Sequence, residues 1–450
     1  MIDSKQTKIM AIVVVAILVI AAVAAVVITN QNDSKSQSRD ADTKFTSMSW
    51  ADIVKEANGQ TVNWYLWDGD VNVNSFIDNE VSTEAAKYGI TINRIGIASP
   101  HDIVVKVNNE IAAGKTTGGS VDLAWLNGTN FSELKANGNL FGHEWAWTLP
   151  NTTLVNWNVS SIASDMGVAV DGYESPWGTA EFQLLFHATS DMKSVSFTNF
   201  SEFYDWCVGE GSGKFTYSAL NGNDSFYGLA FLKSLLYELD NDGSGGWTQY
   251  SGSEAGYMRY TSDKWANKTE SDFEKATEYL WAYLEGLSSH MYTGDGDYPV
   301  RSVINNALVN NQINVSFTYA SAGTSAEIKS GVLPSGTSPV AMKTGVADTN
   351  YVMIPSNANS KAAAMVVANI LLEPVMQAKW LTKTGNNVSI NEDQINTDVM
   401  KDRYHENLVR DEGTYLTPQQ IADSSQPDVT SGNVSNWLIK IWEKRIAAKG

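Results

Sequence analysis

The sequence predicts an α/β protein of two lobes carried on one N-terminal membrane helix. Three features predict it: the length beyond residue 50, a β-α-β-α-β-α alternation that starts at residue 61, and an uncharged apolar run over residues 9–29. Four hundred of the 450 residues follow position 50, more than a single hydrophobic core usually serves, so two lobes are expected.

The alternation begins with Thr61–Trp67 as a strand, then Phe76, Ile77, Val81 and Ala85 at helical spacing, then a strand at Ile90–Ile95. Ser99, Pro100 and Asp102 open the next helix, Ile103, Val104, Val107 and Ile111 form its core face, and Gly114 closes it. Val121–Leu126 is a short apolar strand interrupted only by Asp122, as in a sheet covered on both faces. Right-handed crossovers put the loops after parallel strands on one edge, where open α/β sheets bind ligands; Trp67, Asp68, Asn127 and Asn130 fall there. A second α/β region follows Pro176-Trp177, with helices near 199–208, 225–239 and 271–286 and strands at Lys214–Tyr217 and Ile313–Tyr319. Strand Thr349–Ile354 and helix Lys361–Leu372 come next, and Pro374 opens another helix at its first position. A last helix carries Trp437, Leu438, Ile441, Trp442 and Ile446 on one face, a stripe expected to pack in the core.

Residues 9–29 are long enough to cross a bilayer, and Lys5 and Lys8 before them put the N-terminus in the cytoplasm and the bulk of the chain outside. An uncleaved anchor over 1–29 is expected over the competing reading, a cleaved signal peptide, whose apolar stretch would be shorter; the polar residues after it, 30–57 in the division of the chain, read as a tether. Asn-x-Ser/Thr sequons, among them Asn127, Asn130, Asn151, Asn314 and Asn387, suit a glycosylated surface protein of archaeal type. Cys207 is the one cysteine, which rules out an intrachain disulfide and an N-terminal lipoprotein thiol; it is expected as a buried spectator.

Composition excludes several classes. Fifty acids against 31 bases give a net charge of −19, which argues against a nucleic-acid partner and is compatible with a cationic ligand. The five histidines are scattered, no phosphate loop, dinucleotide fingerprint or nucleophile elbow occurs, and no metal or cofactor is expected. Asp240–Gly245 opens like a calcium loop, yet Ser251 stands where the closing glutamate belongs, so it reads as a solvated loop. The chain is not expected to be an enzyme. A tethered extracellular glycoside hydrolase or carbohydrate-binding protein is the alternative that would also explain acidity and aromatics, of which 15 are Trp and 18 Tyr.

Several separated blocks then resemble one family: Gly118-Gly-Ser-Val-Asp-Leu-Ala-Trp-Leu-Asn-Gly-Thr-Asn-Phe131, Ser175-Pro-Trp-Gly178, Phe215-Thr-Tyr217, Trp281-Ala-Tyr-Leu284, Gly331-Val-Leu-Pro334 and Asn350-Tyr-Val-Met-Ile-Pro355. Their order and spacing are similar to the solute-binding proteins of ABC importers, in the YnjB-type branch. The resemblance implies a type II periplasmic-binding-protein-like fold with lobe 1 at 58–183 plus 340–375 and lobe 2 at 184–339 plus 376–450. It implies a small solute, thiamine-like or another organic cation, passed to a permease and its ATPase. Related branches carry iron(III), polyamines or sugars. This chain departs from its relatives at Tyr217-Ser-Ala-Leu220 and Tyr319-Ala-Ser321, where prolines are usual. The expected ligand-binding residues are Trp67, Asp68, Gly69, Asn127, Gly128, Asn130, Glu174, Trp177 and Gly178 from lobe 1, facing Tyr217 and Tyr319 from lobe 2.

Overall fold

A computed structural model describes residues 44–449, apart from Thr46, His143, 222–224, Asp295 and 320–322. The apolar run at 9–29, residues 30–43 and Ser321 lie outside the described residues. Among the described residues no helix is long and apolar enough to cross a membrane.

Among the described residues, nine strands build the two larger sheets: β1 (Thr61–Trp67), β2 (Thr91–Ile97), β3 (Leu123–Trp125), β4 (Glu174–Glu181), β5 (Gln183–His187), β6 (Val315–Thr318), β7 (Thr337–Val340), β8 (Gly345–Met353) and β9 (Ser425–Pro427). In the first sheet the order is β9-β8-β3-β1-β2, with β4 on the other side of β8. β1, β2 and β3 run parallel, and β8 returns antiparallel to both β3 and β4. The second sheet is the antiparallel set β6-β5-β7.

Asp122, the one charge in its apolar strand, explains part of this layout. Its buried carboxylate accepts from the Asn63 amide at 2.9 Å and from the Asn359 and Ser360 amides at 2.9 and 2.8 Å. It thus ties β1 to the start of the helix Lys361–Leu371, where a negative charge meets unpaired N–H groups.

Helices cover both faces of the first sheet. Val62, Trp64, Leu66, Val352 and the wholly buried helix Lys361–Leu371 make one core, while Ile103, Val107, Ala124, Leu126, Phe131 and Met353 make another on the opposite face. The second lobe has its own core of Leu184, Phe203, Phe215, Phe231, Trp281, Phe317 and Trp442. The C-terminal helix Gly432–Arg445 buries Val434, Leu438, Ile441 and Trp442 there, and Cys207 is buried in the same core with its thiol pushed up by burial.

Some elements differ from expectation. The helix expected at 271–286 is two, Glu270–Ala276 and Glu278–Ser288, broken at Thr277, whose hydroxyl donates to the Phe273 carbonyl at 2.7 Å and accepts from Trp281 Nε1 at 3.1 Å. Lys214–Tyr217 forms one bridge, Phe215 with Val315, instead of a strand. Pro176-Trp177 lies inside β4, where the register with β8 shifts between Asn350 and Tyr351; Pro176 is tolerated at that irregularity. The chain also stays in the first lobe beyond residue 376: Met376, Trp380, Ile390, Ile395 and Tyr404 belong to the core of β1, and the return to the second core comes only near Val429.

The lobes are joined where β4 runs through Phe182 into β5, where β7 leads into β8, and by the segment around β9. Phe182 N donates to Val346 O at 2.8 Å, and Gly345 is held so close to Phe182 O that a Cβ would stand 2.3 Å from it. Beside them, Lys233 of the second lobe pairs with Asp428 at 2.5 Å, both side chains buried. Removing one partner of such a pair leaves an uncompensated charge. Lys233→Ala is therefore expected to cost about 3–5 kcal/mol of stability, read from urea unfolding; a loss below about 1 kcal/mol would show that the pair does not join these segments.

Candidate interlobe binding site

The carboxyl edge of β1 and β3 carries the expected first-lobe residues, but only some of them reach the boundary between the lobes. Trp67 ends β1 and is 43% exposed, and Gly69 leaves room for its ring, since a Cβ there would meet it at 1.9 Å. Asp68 is exposed and paired with Arg94, which also grips Asp78 at 2.8 and 2.9 Å. Asn127 donates from Nδ2 to Thr349 O at 2.9 Å, and its Oδ1 is buried without a partner. Gly128 takes φ +63°, and its N–H donates to the buried Asp165 at 2.6 Å. Asn130 faces outward beside His101 at 3.3 Å.

Trp177, Gly178 and Tyr217 are placed in cores. Trp177 is 1% exposed and packs against Trp64, Trp125 and Trp380 with ring centroids 5.5, 5.3 and 4.5 Å away. Gly178 is small because Trp380 lies over it, 2.2 Å from where a Cβ would be. Tyr217 is 1% exposed, packs on Phe231 at 5.0 Å and accepts from Trp442 Nε1 at 2.9 Å. These residues serve packing because large aromatic rings gain most from burial.

Tyr319 does reach the boundary. It follows β6, is half-buried, and donates to Asp348 Oδ2 of β8 at 3.1 Å. Asp348 leads to the residues that the sequence reading missed: Asp165, Asp348 and Asp428, with Lys233. They form one electrostatic group. Burial pushes Asp348 up to about 6, Asp428 pushes in the same direction, and the Tyr319 hydroxyl and Lys233 oppose it. Burial also raises Asp165 well above the usual carboxylate range, opposed by the Gly128 amide and reinforced by Asp348 and Asp428. Glu174, fully buried with both oxygens unpartnered, is raised by burial first and by Asp165 next.

The lobes touch around this group. An added Cβ on Gly432, which opens the C-terminal helix, would lie 3.5 Å from Thr129, and one on Gly167 would lie 3.3 Å from Val429 O. A cavity of about 370 Å³ lies elsewhere, against Trp147, Thr152, Trp157, Ala163, Val170 and Asp171 of the first lobe, and holds none of the expected ligand-binding residues.

A family model for bacterial extracellular solute-binding proteins matches residues 81–405. The chain belongs to that family. Its members are extracellular solute-binding proteins, which are not enzymes, so the glycoside-hydrolase alternative falls. The chain is similar to Protein YnjB of Escherichia coli strain K12, with 33% identity over 332 residues, 73% of this chain and 79% of that protein. Its fold is similar to the bacterial solute receptor AcbH, which prefers β-D-galactopyranose, with a TM-score of 0.57 at 14% identity over 90% of this chain and 95% of that one. It is also similar to the spermidine/putrescine substrate-binding protein PotD of Streptococcus pneumoniae, with a TM-score of 0.52 at 11% identity over 86% of this chain and 99% of that one. At such identities these two show the fold alone.

Two predictions follow from the placements. Trp177→Ala should cost about 3–5 kcal/mol by leaving a cavity in the first core, a loss that denaturant unfolding would detect; an unchanged midpoint would mean that the ring is not packed as described. For Asp348 the folded pKa, about 6, lies above the ordinary 3.8. The folded state therefore holds this proton more tightly between those values, and stability falls as pH rises from about 4 to about 6. Asp348→Asn should flatten that part of the pH–stability curve, and an identical slope in variant and wild type would contradict the assignment.

Proposed function

We propose that this chain is the receptor of an ABC importer for a small organic cation, thiamine-like or a polyamine, held at the boundary between the lobes and presented outside the cell by an anchor at residues 9–29. The observation that carries this reading is the Asp348 carboxylate. It is half-buried at the lobe boundary, bonded to Tyr319, and shares its field with Asp165 and Asp428, while Lys233 is already engaged by Asp428. A field of carboxylates in a poorly solvated place favours a positive guest and disfavours an anion.

Aromatic rings near the group suit the same guest. Phe226, 47% exposed, packs edge-on to Tyr319 at 5.8 Å, and Trp67 is exposed at the end of β1. Each ring that faces a bound cation adds about 0.5–2 kcal/mol. Asn127 Oδ1, buried and unpartnered, is an acceptor for a donor group of the solute. Asn127 Nδ2 is held by Thr349 O, so this sequon is closed to a glycan.

Titration calorimetry with thiamine, spermidine and choline tests the proposal. At least one should bind, Asp348→Asn should weaken it tenfold or more, and Tyr319→Phe should weaken it less. Because the carboxylate must be ionised, affinity at pH 5 should be about tenfold below that at pH 7. Binding of a neutral sugar in place of every cation, equal in wild type and Asp348→Asn, would overturn the reading.

A further inference from the structure

The cavity of about 370 Å³ in the first lobe has no part in the interlobe group, and strained backbone shapes its wall. Glu144 and Asp171, non-glycine residues at φ 74° and 47°, meet there: Glu144 N donates to Asp171 O at 3.3 Å. Gly172 permits the approach, since a Cβ on it would stand 2.5 Å from Glu144 Cα and 3.1 Å from the Trp147 ring. Strain of this kind persists only where the surroundings impose it, and it clusters at sites that hold something. Its product here is a half-exposed Trp147 set edge-on to Trp157, with ring centroids 6.3 Å apart at 84°. Trp157 Nε1 donates to Thr152 O and Oγ1, both at 3.2 Å, so its polar atom is already engaged. Lys135 donates to Asp171 Oδ2 at 2.7 Å, which neutralises that carboxylate and leaves Oδ1 as an acceptor. Aromatic surface beside one neutralised acceptor suits the C–H face and hydroxyls of a sugar and favours neither a cation nor an anion.

A sugar has a point of attachment beside this cavity. The sequon Asn158-Val-Ser160 lies between Trp157 and Ala163, two of the residues that line it. Asn158 and Ser160 are both exposed, and Asn158 stands in a turn just before the helix Ser160–Ala163. Neither side chain is engaged by a hydrogen bond, whereas the other sequons of the described residues are committed to the fold. The Nδ2 groups of Asn151, Asn314 and Asn387 donate to Asn369 O, His187 O and Glu181, and Asn199 is a buried helix cap. Asn130 and Asn433 lie within helices, and after Asn267 the Thr269 hydroxyl donates to Asp272 at 2.8 Å. An N-linked glycan is bulky and needs a sequon on the surface.

We propose that Asn158 is an N-glycosylation site and that the first sugar of its glycan seats in this cavity, with its C–H face on Trp147 and a hydroxyl donating to Asp171 Oδ1. The donor class is a lipid-diphosphate-linked oligosaccharide. Transfer forms the bond from Asn158 Nδ2 to the anomeric carbon, breaks the anomeric C–O bond to the departing lipid diphosphate and releases one Nδ2 proton. The inference rests on the extracellular placement of the chain and not on the cationic solute.

Glycopeptide mass spectrometry of the full chain, purified from the cells that make it, tests the attachment. Asn158 should be modified, with Asn151, Asn199, Asn314 and Asn387 bare. Hydroxyl-radical labelling of the same protein, read at Trp147 by peptide mapping, tests the seating: labelling should be about threefold or more below that of Asn158→Gln from the same cells, because the sugar covers the ring. An unmodified Asn158, or equal labelling of Trp147 in the two proteins, would overturn the proposal. Neither readout involves Asp348, so the interlobe reading stands or falls separately, on titration of wild type against Asp348→Asn.

Discussion

Strand β8 gives its backbone to three neighbours, and the rest of the molecule depends on that sharing. Its start pairs with β9, its end with β3, and its length from Ala347 to Met353 with β4. Buried N–H and C=O groups must be paired, so a strand used on both edges cannot shift without breaking several ladders at once. This fixes Asp348 between the lobes. On one face of the strand, Thr349 and Tyr351 hydroxyls donate to carbonyls of the short helix Ser160–Ala163, which leads into Asp165. The same strand therefore holds two of the group's three acids, Asp348 and Asp165, in place.

The electrostatic consequence is a trade between folding and binding. Charges buried near like charges destabilise the empty protein, and the shifts of Asp348 and Asp165 express that cost. The Lys233–Asp428 pair offsets part of it. A cationic solute would relieve the remainder, so its binding energy includes what folding left unsatisfied. Aromatic packing supplies the rigid frame: Trp64, Trp125, Trp177 and Trp380 meet edge-on or tilted in the first core.

Most of the fold was legible because period and punctuation agreed. β1, the helix His101–Ala112, the helix at Pro374 and the buried stripe of the C-terminal helix came from apolar spacing, and Pro374 stands at the first helical position as expected; the helix expected to be capped by Ser99 starts one residue later, with Pro100 at its N-cap and no side-chain cap. What failed had tertiary causes. A proline hid β4, a threonine broke a helix, and residues 376–404 carry a core face that fits either lobe until Trp380 is seen over Gly178. Among the ligand-binding candidates, Asn127 and Tyr319 follow strand ends as expected, whereas Trp177 and Tyr217 are buried in the cores, and an aromatic near a strand end has the same sequence signal packed or free. Asp348 had the same signal as Asp122, an acid inside an apolar strand, but the strand expected at Thr349 began one residue too late to include it.

The central claim is that the lobes close on a small organic cation. Closed binding proteins hold their solute through many contacts at once, so gentle purification can retain it. The most direct measurement is native mass spectrometry of the intact chain purified without refolding, followed by release and identification of whatever is bound. The account predicts one stoichiometric organic solute with a fixed positive charge or an ammonium group, lost from Asp348→Asn. A stoichiometric neutral sugar, an anion or a metal ion in its place would contradict it.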